Sequence, residues 1–255
     1  MPTIFDKLNE AGKSRTDLAL CIIVQTRGST PRETGAKMLV YTDGSISGSI
    51  GGGELEKSVI TQALGVLKTA KAAIFRHDLL HQHNMCCGGS VDVYIEPVMK
   101  KKRLYIFGAG HTGHALAKLA IELDFEIYII DDRKDYLDPI VIDGVSKMHL
   151  HYAQALPLLP FDDQTYITIM TYSHPYDRDI LAFCLKKSHA YLGMIGSQRK
   201  VEMTKKMFEE GKIASASELD AVDMPMGIQI GAETTEEIAV SILAKLISVK
   251  NRVGV

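Results

Sequence analysis

Near the middle of the chain, hydrophobic and polar positions follow the order of a strand, a turn, a helix and a second strand. Residues 104–107 form a short apolar run typical of a buried parallel strand. A glycine-rich segment, 108–113, follows directly, and apolar residues then recur at helical spacing over 115–123. A second strand-like run, 126–130, ends at Asp131. The pattern predicts a βαβ unit of the dinucleotide-binding type.

The glycine-rich segment has the spacing G-x-G-x-x-G, with Gly108, Gly110 and Gly113. Such a loop directs the unpaired N–H groups of a helix start at a phosphate, while a carboxylate on the next strand accepts from a ribose hydroxyl. Asp131 is placed for that second role. His111 lies inside the loop, where it contacts a ligand or shapes the turn.

The C-terminal part repeats strands and helices in alternation, which is typical of a doubly wound parallel sheet. Strands are predicted at 147–152, 166–170 and 190–195, and a helix at 177–187. His174 follows the middle strand, at the sheet edge where such folds bind ligands. The segment 196–200 begins the next helix with small and basic residues. Two interpretations remain open: the segment binds an anion, or its basic side chains are ordinary solvated charges at a helix start. Thr234 and Glu237 fit a capping box before the last amphipathic helix.

The N-terminal part reads as a small α+β region. A short helix is predicted at 4–13, strands at 18–24, 38–41 and 91–95, and a helix whose apolar stripe begins at Leu55.

Three consecutive glycines, Gly51, Gly52 and Gly53, precede the Leu55 helix. Consecutive glycines let backbone N–H groups converge on an anion, so we expect a ligand-facing loop there. The alternative is a tight corner between a strand and a helix.

Pro97 and the basic run 100–103 separate the two parts. We therefore expect an α/β protein with a small N-terminal α+β domain, 1–99, followed by a Rossmann-like doubly wound domain, 100–255.

The segment 76–89 is polar and contains three histidines and the adjacent pair Cys86 and Cys87, followed by Gly88. Three interpretations remain open. A zinc site would lack the usual ligand spacings. A thiol presented on a glycine loop would favour the thiolate through nearby N–H groups or imidazolium. A buried and inert cysteine pair is the third.

Composition narrows the class of protein. The 255 residues include 29 basic and 31 acidic side chains, which gives a formal charge of −2 and no electrostatic footprint for nucleic acid or a membrane surface. The N-terminus shows no signal peptide and the longest apolar run, 18–24, is far too short to span a bilayer. Four cysteines are too few for a disulfide scaffold. A cytoplasmic location with free thiols is expected.

Together, motifs spread over nearly the whole chain resemble the XdhC/CoxI accessory proteins of xanthine dehydrogenase and related molybdenum hydroxylases. Six motifs in the same order are far more specific than any one of them. They are residues 28–32 with 35–38, 48–53 with Glu56, 87–89 before 95–97, 107–111 with 131–133, 193–197 with Arg199 and Lys200, and 231–233 with 237–239.

The resemblance implies a maturation chaperone rather than an enzyme with independent turnover, and no catalytic residue is assigned. Such a protein binds molybdenum cofactor transiently, holds it while a cysteine desulfurase supplies the terminal sulfur, and delivers it to the molybdenum-binding subunit of xanthine dehydrogenase. The family also suggests a homodimer. Cys87 is the expected contact to molybdenum, with Cys86 as a helper. Some family members have a cysteine where this chain has Gly53, which removes one candidate thiol.

The cofactor-binding residues expected from the loops and the resemblance share a position in a glycine-rich turn or at a strand end. They are Gly51, Gly52, Gly53, Glu56, Cys87, Gly88, Gly108, Gly110, His111, Gly113, Asp131 and His174.

Two other functions remain open. An NAD(P)-dependent oxidoreductase would use the βαβ unit, with His111 or His174 as an acid or base because imidazole titrates near neutral pH. A structural assembly protein would bind no cofactor.

Overall fold

The protein contains two five-stranded sheets, one antiparallel and one parallel. The computed structural model describes residues 2–14, 16–83 and 88–251. The sheets belong to separate units, Met1–Lys100 and Lys101–Val255. Within the described ranges, no helix combines the length and the apolar character that crossing a bilayer requires.

The first unit is an antiparallel sheet with two helices. Its elements are α1 (Ile4–Ser14), β1 (Leu18–Arg27), β2 (Lys37–Tyr41), β3 (Ile46–Gly48), α2 (Gly53–Thr69), β4 (Ala73–Asp78) and β5 (Ser90–Val98).

The central strand β1 holds this unit together. The strand order is β3-β2-β1-β5-β4, so β1 is hydrogen bonded on both sides. Its alternate residues Ala19, Cys21 and Ile23 are fully buried in one cluster with Leu55 and Val59 of α2. Burying one such aliphatic side chain contributes about 1.5–3 kcal/mol, so the α2 stripe fixes the helix on the sheet.

The second unit is a parallel sheet with helices on both faces. Its elements are β6 (Lys102–Phe107), α3 (His111–Ala120), β7 (Phe125–Asp131), α4 (Lys134–Leu137), β8 (Val145–His149), α5 (Tyr152–Ala155), β9 (Thr165–Ile169), α6 (His174–Cys184), β10 (Tyr191–Met194), α7 (Gln198–Glu210), α8 (Ala216–Asp220) and α9 (Thr235–Asn251).

The strand order β10-β9-β6-β7-β8 puts the first strand of this unit, β6, in the middle. Leu104 and Ile106 enter the core cluster shared with α3 and α9, whereas Tyr105 and Phe107 enter the cluster shared with α6. Both faces of β6 are therefore buried, which explains its continuous apolar run.

The expected fold class, an α+β region followed by a Rossmann-like parallel sheet, is confirmed. Details differ at several element ends. The strand expected at 147–152 runs over Val145–His149, and Tyr152 instead begins α5. The helix α6 begins earlier than expected, at His174, because Pro175 fits the first turn of a helix, where no N–H donor is needed. The expected capping box is present, since Glu237 accepts from Thr234 N and Thr234 Oγ1 accepts from Glu237 N.

The two described cysteines should be chemically silent in the folded protein. Burial raises the pKa of Cys21 and of Cys184 to about 12. At pH 8 this raised pKa makes the thiolate fraction roughly a thousandfold smaller than that of an exposed cysteine. The reactivity falls with it, because the thiolate is the nucleophile. Iodoacetamide followed by peptide mass spectrometry should find neither residue labelled before denaturation and both labelled in urea. Rapid labelling of either one in the native protein would contradict the buried placement.

Candidate functional site

Three parallel strands of the second unit end at the same level, and they frame the first candidate site. Phe107, the last residue of β6, pairs with Ile130 of β7 and with Ile169 of β9. The helix α3 follows β6 on one face of the sheet, and α6 follows β9 on the other. Where the helices that follow two neighbouring strands lie on opposite faces, a crevice opens at the carboxyl ends of the strands, and parallel sheets bind ligands there.

The glycine loop 108–113 is fitted closely to this edge. Gly108 has φ +114° and donates its N–H to Ile130 O at 2.9 Å, and a side chain on it would overlap Met170 O. A side chain on Gly113 would overlap Gly108 O. Gly110 is different, because a Cβ there meets nothing within 4 Å. The first and third glycines of the motif are thus required by packing, while the second faces open space.

Asp131 holds the glycine loop from inside the protein. Its Oδ2 accepts from Ala109 N at 2.7 Å and from Arg133 Nη2 at 2.8 Å, and its Oδ1 accepts from Arg133 N and Nε, both at 2.9 Å. Burial alone would raise the pKa of Asp131, but these hydrogen bonds outweigh it and lower the pKa. A carboxylate offers about four acceptor positions. The predicted ribose contact of Asp131 would therefore have to displace one of these four donors.

Arg133 is itself clamped between two aromatic rings. Its guanidinium carbon lies 3.9 Å from the Tyr136 ring centroid and 4.0 Å from that of Tyr172. Tyr172 follows β9 and also donates to Asp132 Oδ2 at 3.1 Å. Since β6 lies between β7 and β9, this stack crosses the end of β6 beside the glycine loop. Sequence reasoning did not identify this cluster, because it joins residues from two separated strands.

His174 is paired with a buried carboxylate. Its Nδ1 lies 3.2 Å from Asp177 Oδ2, while Asp177 Oδ1 accepts from Thr171 N at 2.9 Å and from Thr171 Oγ1 at 2.6 Å. Burial raises the pKa of Asp177, and the contacts with Thr171 and His174 act in the opposite direction. Sequence reasoning did not single out Asp177. The signal was its position three residues after His174 at a helix start, which puts both side chains on one face.

His111 and His174 line different cavities. His174 borders a cavity of about 330 Å³ at the ends of β9 and β10, with Ser197 and Lys200. His111 is exposed and borders a groove of about 560 Å³ between α3 and α9. The structure therefore does not bring the two predicted histidines into one cavity.

In the first unit, Glu56 holds the other glycine loop. Its Oε1 accepts from Ser49 Oγ at 2.7 Å, Gly52 N at 2.9 Å and Ile50 N at 3.0 Å. Burial opposes ionisation, but these hydrogen bonds outweigh it and lower the pKa of Glu56. Gly51, Gly52 and Gly53 all have positive φ, so the loop curls around the carboxylate in a conformation that L side chains rarely adopt.

Three loops of the first unit meet at one place. Gly89 lies against the turn at Gly28, where a Cβ added to Gly28 would be 3.3 Å from Gly89 Cα. Three residues further along that turn, Pro31 packs against Gly51, whose added Cβ would be 2.6 Å from the proline ring. Within the part of the chain that the structure describes, a Cβ added to Gly52, Gly53 or Gly88 would meet nothing within 4 Å. The result is a surface of exposed glycine backbone.

Cys86 and Cys87 lie outside the described residues, so the predicted thiol contact stays a prediction. Of the nearby histidines, His77 Nδ1 lies 3.0 Å from His83 Nε2, and burial lowers the pKa of His77 to about 4. Over the described ranges, no three histidine, cysteine, aspartate or glutamate side chains are grouped so as to hold a metal ion. The polar segment 76–89 of the sequence analysis begins within strand β4 (Ala73–Asp78).

Alanine should destabilise the protein at one glycine of the loop and leave its stability nearly unchanged at another. Gly108→Ala places a methyl group against Met170 O at a positive φ, and we expect it to lower the free energy of unfolding by about 2–4 kcal/mol. Gly110→Ala, its matched control, meets open space and should change stability by less than about 0.5 kcal/mol. Urea unfolding followed by circular dichroism measures both. Equal destabilisation by the two variants would contradict the loop geometry.

The chain is similar to curated sequences and to solved structures, among them two sequences and one crystal structure. The protein "Uncharacterized protein YqeB" of Escherichia coli (strain K12) is 33% identical over 254 residues, which cover 97% of this chain and 46% of that protein. A probable xanthine dehydrogenase subunit of Bacillus subtilis (strain 168) is 29% identical over 167 residues, which cover 65% of this chain and 48% of that protein. The chain thus matches about half the length of these relatives. A crystal structure of a xanthine dehydrogenase from Bacillus halodurans aligns with a TM-score of 0.54 at 21% identity, over 97% of this chain and 96% of that one, which supports the fold alone.

Family comparisons match both units. The XdhC and CoxI family matches residues 12–78, and the XdhC Rossmann domain matches residues 104–246, which is more than half of the chain. The resemblance noted from the sequence motifs is confirmed, and the chain belongs to the XdhC/CoxI family.

Proposed function

We propose that the chain is an accessory protein in the maturation of xanthine dehydrogenase-type molybdenum hydroxylases. In this role it binds molybdenum cofactor, assists its sulfuration and promotes its insertion into the hydroxylase. Membership of the XdhC/CoxI family supports the proposal, as does the Bacillus subtilis relative, whose name is that of a probable xanthine dehydrogenase component.

The convergence of three loops in the first unit carries the proposal. Gly89 packs on the turn at Gly28, and Pro31 of the same turn packs on Gly51. Cys87 is joined directly to Gly88, where an added Cβ would meet no atom of the described residues within 4 Å. The glycine backbone at Gly52 and Gly53 is similarly open. A ligand can approach such a backbone closely because no side chain intervenes.

This surface suits the two ends of a pterin cofactor. The cofactor carries an anionic phosphate at one end and a soft, sulfur-bound metal at the other. Backbone N–H groups of a glycine-rich loop bind anions, and a cysteine thiolate binds soft metals. The N–H groups of Gly51 and Gly52 are already bonded to Ser49 Oγ and Glu56 Oε1. In our proposal, the Gly53 end of the loop 51–53, where α2 begins, therefore receives the phosphate, and Cys87 contacts the metal.

Glu56 has a positioning role in this proposal. Its Oε1 is occupied by Ser49, Ile50 and Gly52, so it fixes the curvature of the loop that faces the cofactor. A neutral glutamine at this position would replace charge-assisted hydrogen bonds with weaker ones.

The partners follow from the same role. A cysteine desulfurase would supply the terminal sulfur, and the molybdenum-binding subunit of the hydroxylase would receive the cofactor. A homodimer of this chain completes the proposal.

An NAD(P)-dependent oxidoreductase is the weaker alternative. The carboxylate that would accept from a ribose hydroxyl, Asp131, already accepts four hydrogen bonds from Arg133 and Ala109. The Ala109 N–H is likewise directed at that carboxylate rather than at a phosphate.

The proposal is tested by equilibrium binding of purified molybdenum cofactor to the full chain under anaerobic conditions. We expect one equivalent to be retained per chain, measured as molybdenum by mass spectrometry and as pterin by fluorescence after oxidation. Cys87→Ala should weaken binding by about tenfold or more, because it removes the metal contact.

The adjacent thiol gives a matched control. Cys86→Ala should weaken binding less than Cys87→Ala, and thermal unfolding should show both variants as stable as the parent protein. If the parent chain retains no cofactor at micromolar concentration, the proposed function is wrong. If both variants retain the cofactor as well as the parent chain does, the proposed contact between a cysteine thiol and the metal is wrong.

A further inference from the structure

A cavity of about 330 Å³ lies in the second unit at the carboxyl ends of β9 and β10, and we call it the β9–β10 chamber. Its polar lining includes Thr171, Ser173, His174, Asp177, Ser197 and Lys200. Tyr172 also lines the cavity, and its hydroxyl donates to Asp132 Oδ2. We propose that this chamber binds the phosphate group of a small phosphate monoester, with Lys200 as its counter-charge and His174 as a donor that Asp177 positions. The site lies outside the first unit, to which the proposed cofactor contact of Cys87 belongs.

The pairing of His174 with Asp177 fixes which ring nitrogen is available. Asp177 is 1% exposed and lies 3.2 Å from Nδ1 of His174, so that nitrogen carries the proton in the neutral ring. Nε2 is then the nitrogen left to contact a ligand. An imidazolium at this position donates to an oxyanion through Nε2, and the Asp177 carboxylate stabilises that form. The carboxylate is itself held in place, because Thr171 donates twice to Asp177 Oδ1.

The charges exposed to the chamber favour an anion. Asp177 is the acidic member of the wall, and its carboxylate is buried and satisfied by Thr171 and His174. The basic members, His174 and Lys200, are not buried. Ser173 and Ser197 add hydroxyls, and neither makes a side-chain capping hydrogen bond to its helix. The accessible polar groups are therefore donors or cations.

Donor geometry favours a phosphate over a carboxylate. A planar carboxylate is typically bound by the two parallel N–H groups of an arginine, whereas lysine binds phosphate as a point charge. Lys200 lies in the first turn of α7, and His174 lies in the first turn of α6. Donors that come from two helices surround a tetrahedral anion better than a flat one.

The chamber volume limits the ligand. Ligand cavities in proteins span about 300–1,000 Å³, so 330 Å³ holds one phosphate group and a small attached group. We expect the phosphate to belong to a nucleoside monophosphate, because the terminal phosphate of the pterin is assigned to the first unit in the proposed function.

Calorimetric titration of the full chain with inorganic phosphate and with adenosine monophosphate tests the proposal. Adenosine monophosphate should bind more tightly than inorganic phosphate, because it also fills the remaining volume. Lys200→Gln and His174→Gln should each weaken both ligands by about tenfold, since the first removes the counter-charge and the second removes the donor that Asp177 positions. Isolated pterin monophosphate is the comparison ligand: its affinity should be equal in the parent chain and in Lys200→Gln, because its phosphate is assigned to the first unit. A loss of affinity in Lys200→Gln would show that the chamber takes the pterin phosphate instead of a nucleotide.

Arg199→Gln is the matched control, because Arg199 is an exposed cation next to Lys200 that does not line the chamber. It should weaken binding by less than about twofold. Equal losses for Arg199→Gln and Lys200→Gln would indicate diffuse attraction and overturn the proposal, as would the absence of binding at millimolar phosphate and nucleotide. Lys200 is exposed, so its variant should keep the thermal unfolding midpoint of the parent even if His174→Gln is unstable.

A separate readout tests the positioning role of Asp177. Nitrogen-15 NMR of the histidine rings should show His174 as the Nδ1–H tautomer in the parent protein and a mixture of tautomers in Asp177→Asn. Phosphate affinity should fall in that variant while Lys200 is unchanged. An Nε2–H tautomer in the parent protein would contradict the proposed geometry. These results do not depend on Cys87, so they stand or fall separately from the cofactor proposal.

Discussion

A carboxylate enclosed by a glycine-rich loop and bonded to its backbone N–H groups is the interaction on which both candidate sites depend. Glu56 accepts from Ile50 and Gly52 in the first unit, and Asp131 accepts from Ala109 in the second. Buried N–H groups need a partner, and a hydrogen bond to a charged acceptor contributes about 1.5–3 kcal/mol. Each loop is therefore ordered by the protein itself, before any ligand arrives.

Backbone N–H groups that bond to Glu56 or Asp131 are not free to bind a ligand, and this limits where ligands can bind. The Ala109 N–H, which a dinucleotide pyrophosphate would use, is directed at Asp131, and the Arg133 stack lies beside it. Among the described residues, what remains open is the glycine backbone at Gly53 and at Gly88 in one unit, and the β9–β10 chamber in the other. In each glycine-rich loop of this protein, some backbone N–H groups bond to an internal carboxylate, and only the remaining ones can bind an anion.

The sequence predicts features that depend on local patterns and misses those that depend on distant pairing. The β6–α3–β7 unit is predicted correctly because its periodicity and glycine spacing are local. Strand β4 is missed because it is an edge strand defined by pairing with β5, as in the contact of Arg76 with Asp92. The bonds of Asp131 are missed for a related reason: the motif supplies an acid at the expected place, but only the fold shows that Arg133 turns back onto it.

Amide hydrogen exchange measured by NMR tests the role of the two carboxylates most directly. In Asp131→Asn, the Ala109 amide should exchange about tenfold faster or more, while the Gly52 amide keeps its rate; Glu56→Gln should produce the reverse. The Ile167 amide, in the buried strand β9, reports any global loss of stability. If the Ala109 and Gly52 amides exchange at parental rates in both variants, the carboxylates do not hold the loops.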